Sequence, residues 1–63
     1  MREYSNKVIE DLINDLVHKE RDRRLVKRRL CDGIAFEPLA EEFDLSVRQC
    51  KRIVYKASEK IFR

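Results

Sequence analysis

Three basic side chains near the end of the chain, Arg48, Lys51 and Arg52, have the three- and four-residue spacing that places side chains on one face of a helix. An arginine guanidinium can donate two parallel hydrogen bonds to O6 and N7 of guanine. Each such pair contributes about 1–3 kcal/mol of discrimination between bases. Together with Val47, which begins the same segment, these residues are candidates for contact with base edges, provided that a helix presents them to a groove.

A second group of polar and basic side chains is suited to phosphate contacts, which set affinity and register without reading sequence. Its members are Ser46, Lys56, Arg24, Lys27 and Arg28. Taken singly, each of these is equally compatible with an ordinary solvated side chain. Gln49 has two possible roles. Its amide can pair with adenine, or it can close a capping box with Ser46 at a helix start, and the spacing favours the cap.

The chain holds few groups from which an enzyme or metal site could be built. Cys31, Cys50 and His18 are the only thiol and imidazole ligands, and they lack the close spacing of a zinc site. We find no nucleophile paired with a base, no paired-carboxylate site and no phosphate-cradling glycine loop. With 63 residues there is also little room for a pocket. We therefore expect no enzymatic activity, no metal and no cofactor.

The apolar residues are too dispersed for a membrane segment. No apolar run exceeds three residues, whereas a span needs about 20, and the first residues lack the apolar segment of a secretory signal. We expect a single domain over residues 1–63, located in the cytoplasm and without membrane contact.

The elements that must position these side chains are predicted from the hydrophobic period. Six aliphatic residues at i, i+1, i+4, i+5, i+8 and i+9 predict a first helix over about residues 6–17. A second stripe between Leu25 and Cys31 predicts a helix that ends near Asp32. Nothing at residues 18–20 breaks a helix, but the change of stripe suggests a bend or short turn there.

Two further helices follow. A short one has Pro38 in its first turn, where a missing N–H costs nothing, and it stops before Leu45. The Ser46 and Gln49 capping box then begins a helix over about residues 47–61. On this longer helix Tyr55 lies off the main apolar stripe, and we expect it to pack on the first helix. The predicted fold is all-α, a small domain of four helices.

Charge is divided between these elements. Residues 21–31 hold six basic and one acidic side chain, residues 32–45 hold five acidic and no basic ones, and residues 46–63 hold six basic and one acidic. The short third helix is therefore acidic and lies between two basic helices. An acidic surface cannot lie against DNA, so it must face away from any duplex that the basic helices bind.

A short helix, a turn of about three residues and a longer helix with a basic first turn predict a helix-turn-helix over about residues 36–56. Ala40 lies where two helices approach closely. Asp44 lies in the turn, where the backbone becomes left-handed, and Asp tolerates that conformation better than most residues.

About residues 21–63 resemble the fourth conserved region of bacterial sigma factors and related small phage or mobile-element regulators, and the first helix corresponds more loosely. The residues that carry the resemblance are Asp32-Gly33-Ile34, Leu39-Ala40-Glu41-Glu42-Phe43, Leu45-Ser46-Val47-Arg48 and Lys51-Arg52-Ile53. The resemblance implies that helix 47–61 enters the major groove of promoter DNA, where its first turns meet the bases. It also makes RNA polymerase a possible partner.

Two functions follow as expectations. The first is a sequence-specific regulator of transcription, of bacterial, phage or mobile-element origin, that binds double-stranded DNA. The alternative is a sigma-like protein-interaction module that binds RNA polymerase or another partner, with DNA contact secondary. A homodimer through the stripe of the first helix is possible, although so small a domain needs that stripe as a wall of its core.

Overall fold

The chain folds into four helices joined by short turns. The computed structural model describes residues 5–62 and contains no strand in that range. The helices are α1 (Asn6–Leu16), α2 (Glu20–Leu30), α3 (Phe36–Phe43) and α4 (Val47–Ile61). The predicted all-α fold is confirmed, and α4 has the predicted bounds. The first helix ends one residue earlier than predicted, and the second ends at Leu30 instead of near Asp32.

A tight turn separates α1 from α2. The hydroxyl of Ser5 caps α1 by accepting from the Val8 N–H at 3.3 Å. After Leu16 the backbone becomes extended at Val17 (φ −107°, ψ 113°). Arg23 of α2 then donates from Nη2 to the carbonyl of His18 at 3.1 Å. The suggested turn is therefore present, and a side chain of α2 holds it in place.

The end of α2 depends on the chain's single glycine. Gly33 has φ +71°, a backbone conformation that side-chain-bearing residues rarely adopt. The reversal that it permits lets the N–H of Ile34 donate to the carbonyl of Arg28 at 3.2 Å. This bond satisfies one of the last carbonyls of α2 and directs the chain into α3.

All four helices contribute to one hydrophobic core. It consists of ten buried residues, namely Ile9, Ile13, Leu25, Val26, Leu39, Ala40, Cys50, Val54, Ala57 and Ile61. The α1 stripe supplies two of them and its other members pack around the core, except Val8, which is 44% exposed. The stripe thus forms a wall of the core.

Within residues 5–62, none of the helices combines the length and the hydropathy needed to cross a bilayer.

Candidate nucleic-acid interface

A left-handed turn at the end of α3 leads the chain into α4. Asp44 has φ 55° and ψ 45°, as predicted for the turn. The N–H of Leu45 donates to the carbonyl of Ala40 at 2.9 Å, and the N–H of Asp44 donates to that of Glu41 at 3.3 Å. These are the two bonds of a Schellman motif. Residues 44–46 alone therefore connect the two helices.

The predicted capping box is present at the start of α4. Ser46 Oγ accepts from the Gln49 N–H at 3.1 Å, and Gln49 Oε1 accepts from the Ser46 N–H at 2.9 Å and from the Ser46 hydroxyl at 3.2 Å. The capping role of Gln49 is confirmed. Because Oε1 is occupied, a two-bond pair between Gln49 and adenine requires the box to open. The Ser46 hydroxyl is engaged in the same way, so its predicted phosphate contact competes with the cap.

The outward face of α4 carries exposed cations. Arg48, Lys51 and Arg52 are all exposed, whereas Cys50 between them is fully buried. Val47 is half-buried and packs against the core, so it offers only part of its side chain to a ligand. Within residues 5–62 no carboxylate forms an ion pair with any of these three cations; the four ion pairs found there all use α2 side chains. The structure therefore brings the predicted base-reading cations together on one accessible face.

Next to Lys51 lies an aromatic cluster that sequence reasoning missed. Lys51 Nζ is 5.7 Å from the ring centre of Phe36, and the guanidinium carbon of Arg29 is 4.5 Å from it. Tyr55 meets the same ring edge-on, with centroids 6.2 Å apart. The expectation that Tyr55 packs on the first helix is therefore wrong, and its side chain remains 57% exposed. Its place four residues after Lys51 was the available signal that it shares the cationic face.

Arg28, a predicted phosphate contact, forms ion pairs with two carboxylates. Its Nη2 lies 2.9 Å from Glu42 of α3, and its Nη1 lies 3.1 Å from Asp32. The hydrogen bond and the charge of Glu42 raise the pKa of Arg28 above its usual value. A phosphate would have to compete with both carboxylates for this guanidinium. The ion pair between Arg28 and Glu42 also compensates part of the negative charge of α3.

The other two α2 candidates lie beside the same acidic surface. Lys27 Nζ is 3.7 Å from Glu10 of α1. Arg24 is exposed and has no ion pair within the described range. Both line a crevice with Glu42 that contains side chains of α1, α2 and α3 but none of α4. The structure therefore does not bring the α2 candidates onto the α4 face, whereas Lys56 is exposed on α4 itself.

The two cysteines are unpaired and shielded. Cys50 is fully buried and Cys31 is half-buried. Burial raises the pKa of both thiols, and for Cys31 the nearby carboxylates of Glu10 and Asp32 raise it further. Among the residues that the structure describes, no group of three or more His, Cys, Asp or Glu side chains could hold a metal ion. Both thiols are therefore suited to packing.

The chain was compared with known proteins at three levels. No protein-family model, no curated protein and no solved structure matches it.

Proposed function

We propose that the chain is a sequence-specific DNA-binding protein that regulates transcription, of bacterial, phage or mobile-element origin, and that it inserts the first turns of α4 into the major groove. The observation that carries the proposal is the uncompensated charge of the α4 face. Arg48, Lys51 and Arg52 are exposed and have no carboxylate partner within residues 5–62, whereas Arg28 of α2 has two. A duplex supplies the missing negative charge through its phosphates.

Each residue of this face has a role in the proposal. Arg48 and Arg52 present guanidinium groups suited to guanine, and Lys51 presents a single ammonium beside the Phe36 ring. Lys56, one turn further along α4, contacts a phosphate. Tyr55 joins this set because its hydroxyl is suited to a phosphate oxygen and its ring is held by Phe36.

The α3–turn–α4 unit supports the proposal through its local geometry. Its two helices, three-residue turn and capped second helix have the form expected of a helix-turn-helix. The exposed carboxylates of α3 then face away from the duplex. Their repulsion from phosphates disfavours docking through α3 and so contributes to orientation.

The test is a selection of duplexes from a random pool, followed by titration of the enriched duplex and a scrambled one by fluorescence anisotropy. We expect Arg48→Ala and Arg52→Ala each to weaken binding of the enriched duplex by about tenfold, the equivalent of one lost guanine pair. Binding of the scrambled duplex should weaken less. Lys7→Ala, which removes one exposed charge from α1, is the matched control and should leave the preference unchanged.

Two results would contradict this function. One is the absence of any duplex binding at low salt. The other is wild-type affinity and preference after Arg48, Lys51 and Arg52 have all been replaced by Ala. Circular dichroism of each variant separates loss of contact from loss of fold, because the exposed positions contribute little to the core.

A second candidate function is a protein-interaction module, and the unpaired acidic side chains of α3 favour it. Glu37 and Glu41 are exposed and have no ion pair within the described range, so they could meet a basic partner such as a surface of RNA polymerase. A pull-down that returns polymerase subunits and is lost in Glu37→Gln with Glu41→Gln would support this function. If the isolated chain ignored DNA as well, it would replace the first.

Homodimerisation remains a proposal for the DNA-bound state, in which two modules would bind two half-sites. Most of the α1 stripe is used in the core. A symmetric motif in the selected duplexes would indicate two copies.

A further inference from the structure

A basic groove lies between the α1–α2 turn and the C-terminal half of α4, and we name it the turn groove. Its volume is about 390 Å³. Five cationic side chains line it, namely Lys19, Arg21, Arg52, Lys56 and Lys60, together with His18. In the described part of the chain its lining contains one carboxylate, that of Asp22, which Arg21 already pairs at 3.1 Å. The groove therefore has a strong excess of positive charge.

The two sides of the turn groove are held in place by the fold. Arg23 donates to the carbonyl of His18 at 3.1 Å, which fixes the turn against α2. Leu16 of α1 and Ile53 of α4 both line the groove and pack against the core. The core therefore anchors the groove on its α1 side and on its α4 side.

The turn groove is continuous with the α4 face that the proposed function uses. Arg52, Lys56 and Lys60 follow one another at four-residue intervals, so they form a strip along one side of α4. Successive members are about 6 Å apart along the helix axis. Arg52 belongs both to the outward face and to the groove lining. A ligand that neutralises this strip must be an extended anion that continues from one surface to the other.

We propose that the turn groove binds the sugar–phosphate backbone that borders the major groove entered by α4. The inference rests on the proposed function and adds a second contact surface to it, formed by the α1–α2 turn. Lys19 and Lys60 donate to phosphate oxygens and read no base. Charge complementarity and the unbroken strip from Arg52 to Lys60 favour a continuous sugar–phosphate backbone over a short acidic protein segment.

The experiment uses the full chain, the enriched duplex and its scrambled counterpart, titrated between about 50 and 200 mM salt. We expect Lys19→Ala and Lys60→Ala each to weaken binding of both duplexes by roughly fivefold to tenfold. Each variant should also reduce the slope of log affinity against log salt by about 0.9. The preference for the enriched duplex should stay at its wild-type value, and Lys7→Ala should change none of these quantities.

The outcomes separate this inference from the proposed function. If Lys19→Ala and Lys60→Ala bind as wild type while Arg48→Ala is impaired, the turn-groove contact is wrong and the proposed function stands. If the wild-type chain binds no duplex, both are wrong. A polyglutamate peptide is the competing probe. If it binds as tightly as the duplex and loses that affinity in Lys19→Ala, the groove accepts an acidic protein segment and the inference is overturned.

Discussion

Replacement of Asp44 tests how the turn between α3 and α4 is held. Its backbone is left-handed (φ 55°, ψ 45°), a conformation that costs an ordinary L-residue about 1–2 kcal/mol, with Asp near the lower limit. Its carboxylate also lies at the C-terminal end of α3, where the helix dipole disfavours negative charge by about 0.3–1 kcal/mol. Both effects predict that Asp44 is not the most stable residue for its position.

Two variants separate these effects. Asp44→Asn removes the charge alone and should stabilise the fold by about 0.5 kcal/mol. Asp44→Gly also removes the backbone strain, but it adds about 0.5–1 kcal/mol of conformational entropy to the unfolded chain. The net gain for Asp44→Gly should therefore be about 0.5–1 kcal/mol. For a domain of this size these gains correspond to rises in melting temperature of about 3 °C for Asp44→Asn and about 3–6 °C for Asp44→Gly.

The assay is thermal and urea unfolding followed by circular dichroism, at low salt and in about 1 M salt. High salt shortens the screening length to about 3 Å, so the gain from Asp44→Asn should shrink while the difference between the two variants remains. Two results would refute the reasoning: an Asp44→Gly protein less stable than wild type, or an Asp44→Asn gain that is unaffected by salt.

Three further predictions concern the capping box and the thiols. Ser46→Ala should destabilise the fold by about 1 kcal/mol in urea unfolding because the Gln49 N–H loses its acceptor. If the losses of stability in Ser46→Ala and Gln49→Ala are additive in the double variant, the capping box does not act as a unit. Cys50 is fully buried, so it can react only when the fold opens, and opening costs at least about 3 kcal/mol. At pH 8, Cys50 in a Cys31→Ser protein should therefore react with iodoacetamide at least about 100-fold more slowly than a free thiol. Equal rates at Cys50 and Cys31 in the native protein would contradict this. The pKa of both thiols is raised in the folded state above the ordinary value of 9.0. The stability that the neutral thiols contribute is therefore present below pH 9.0 and is lost as the pH rises through their folded pKa. The urea midpoint should fall above pH 9.

Most of the fold could be predicted from local features of the sequence. Each helix is marked by an apolar period, and α4 has a capping box whose two partners lie three residues apart. Gly33 and Asp44 mark the two left-handed positions because few other residues tolerate them. Such signals depend on atoms within one or two helical turns, so they can be recognised in the sequence without knowledge of the packing.

The candidate interface was only partly predictable. The cations of α4 could be assigned to one face from their spacing, because a helix fixes side-chain directions over that distance. The Glu42 partner of Arg28 could not be predicted, since it is fourteen residues away and approaches only when α3 packs on α2. Tyr55 was misplaced for the same reason: it lies beside the main stripe of α4, and only the position of Phe36 decides which helix its ring meets.

The sequence by itself determined the helical content, the helix starts and ends to within about two residues, and the division of charge into acidic and basic elements. Those properties are set by short-range hydrogen bonds and side-chain periodicity. The tertiary structure decided which charges are compensated and which are left exposed. It paired α2 cations with carboxylates of α1 and α3, left the cations of α4 without carboxylate partners in the described range, and brought the α1–α2 turn beside α4. The pairs Lys27–Glu10 and Arg28–Glu42 depend on distances of a few ångströms between residues far apart in the chain, and only packing of the core sets those distances.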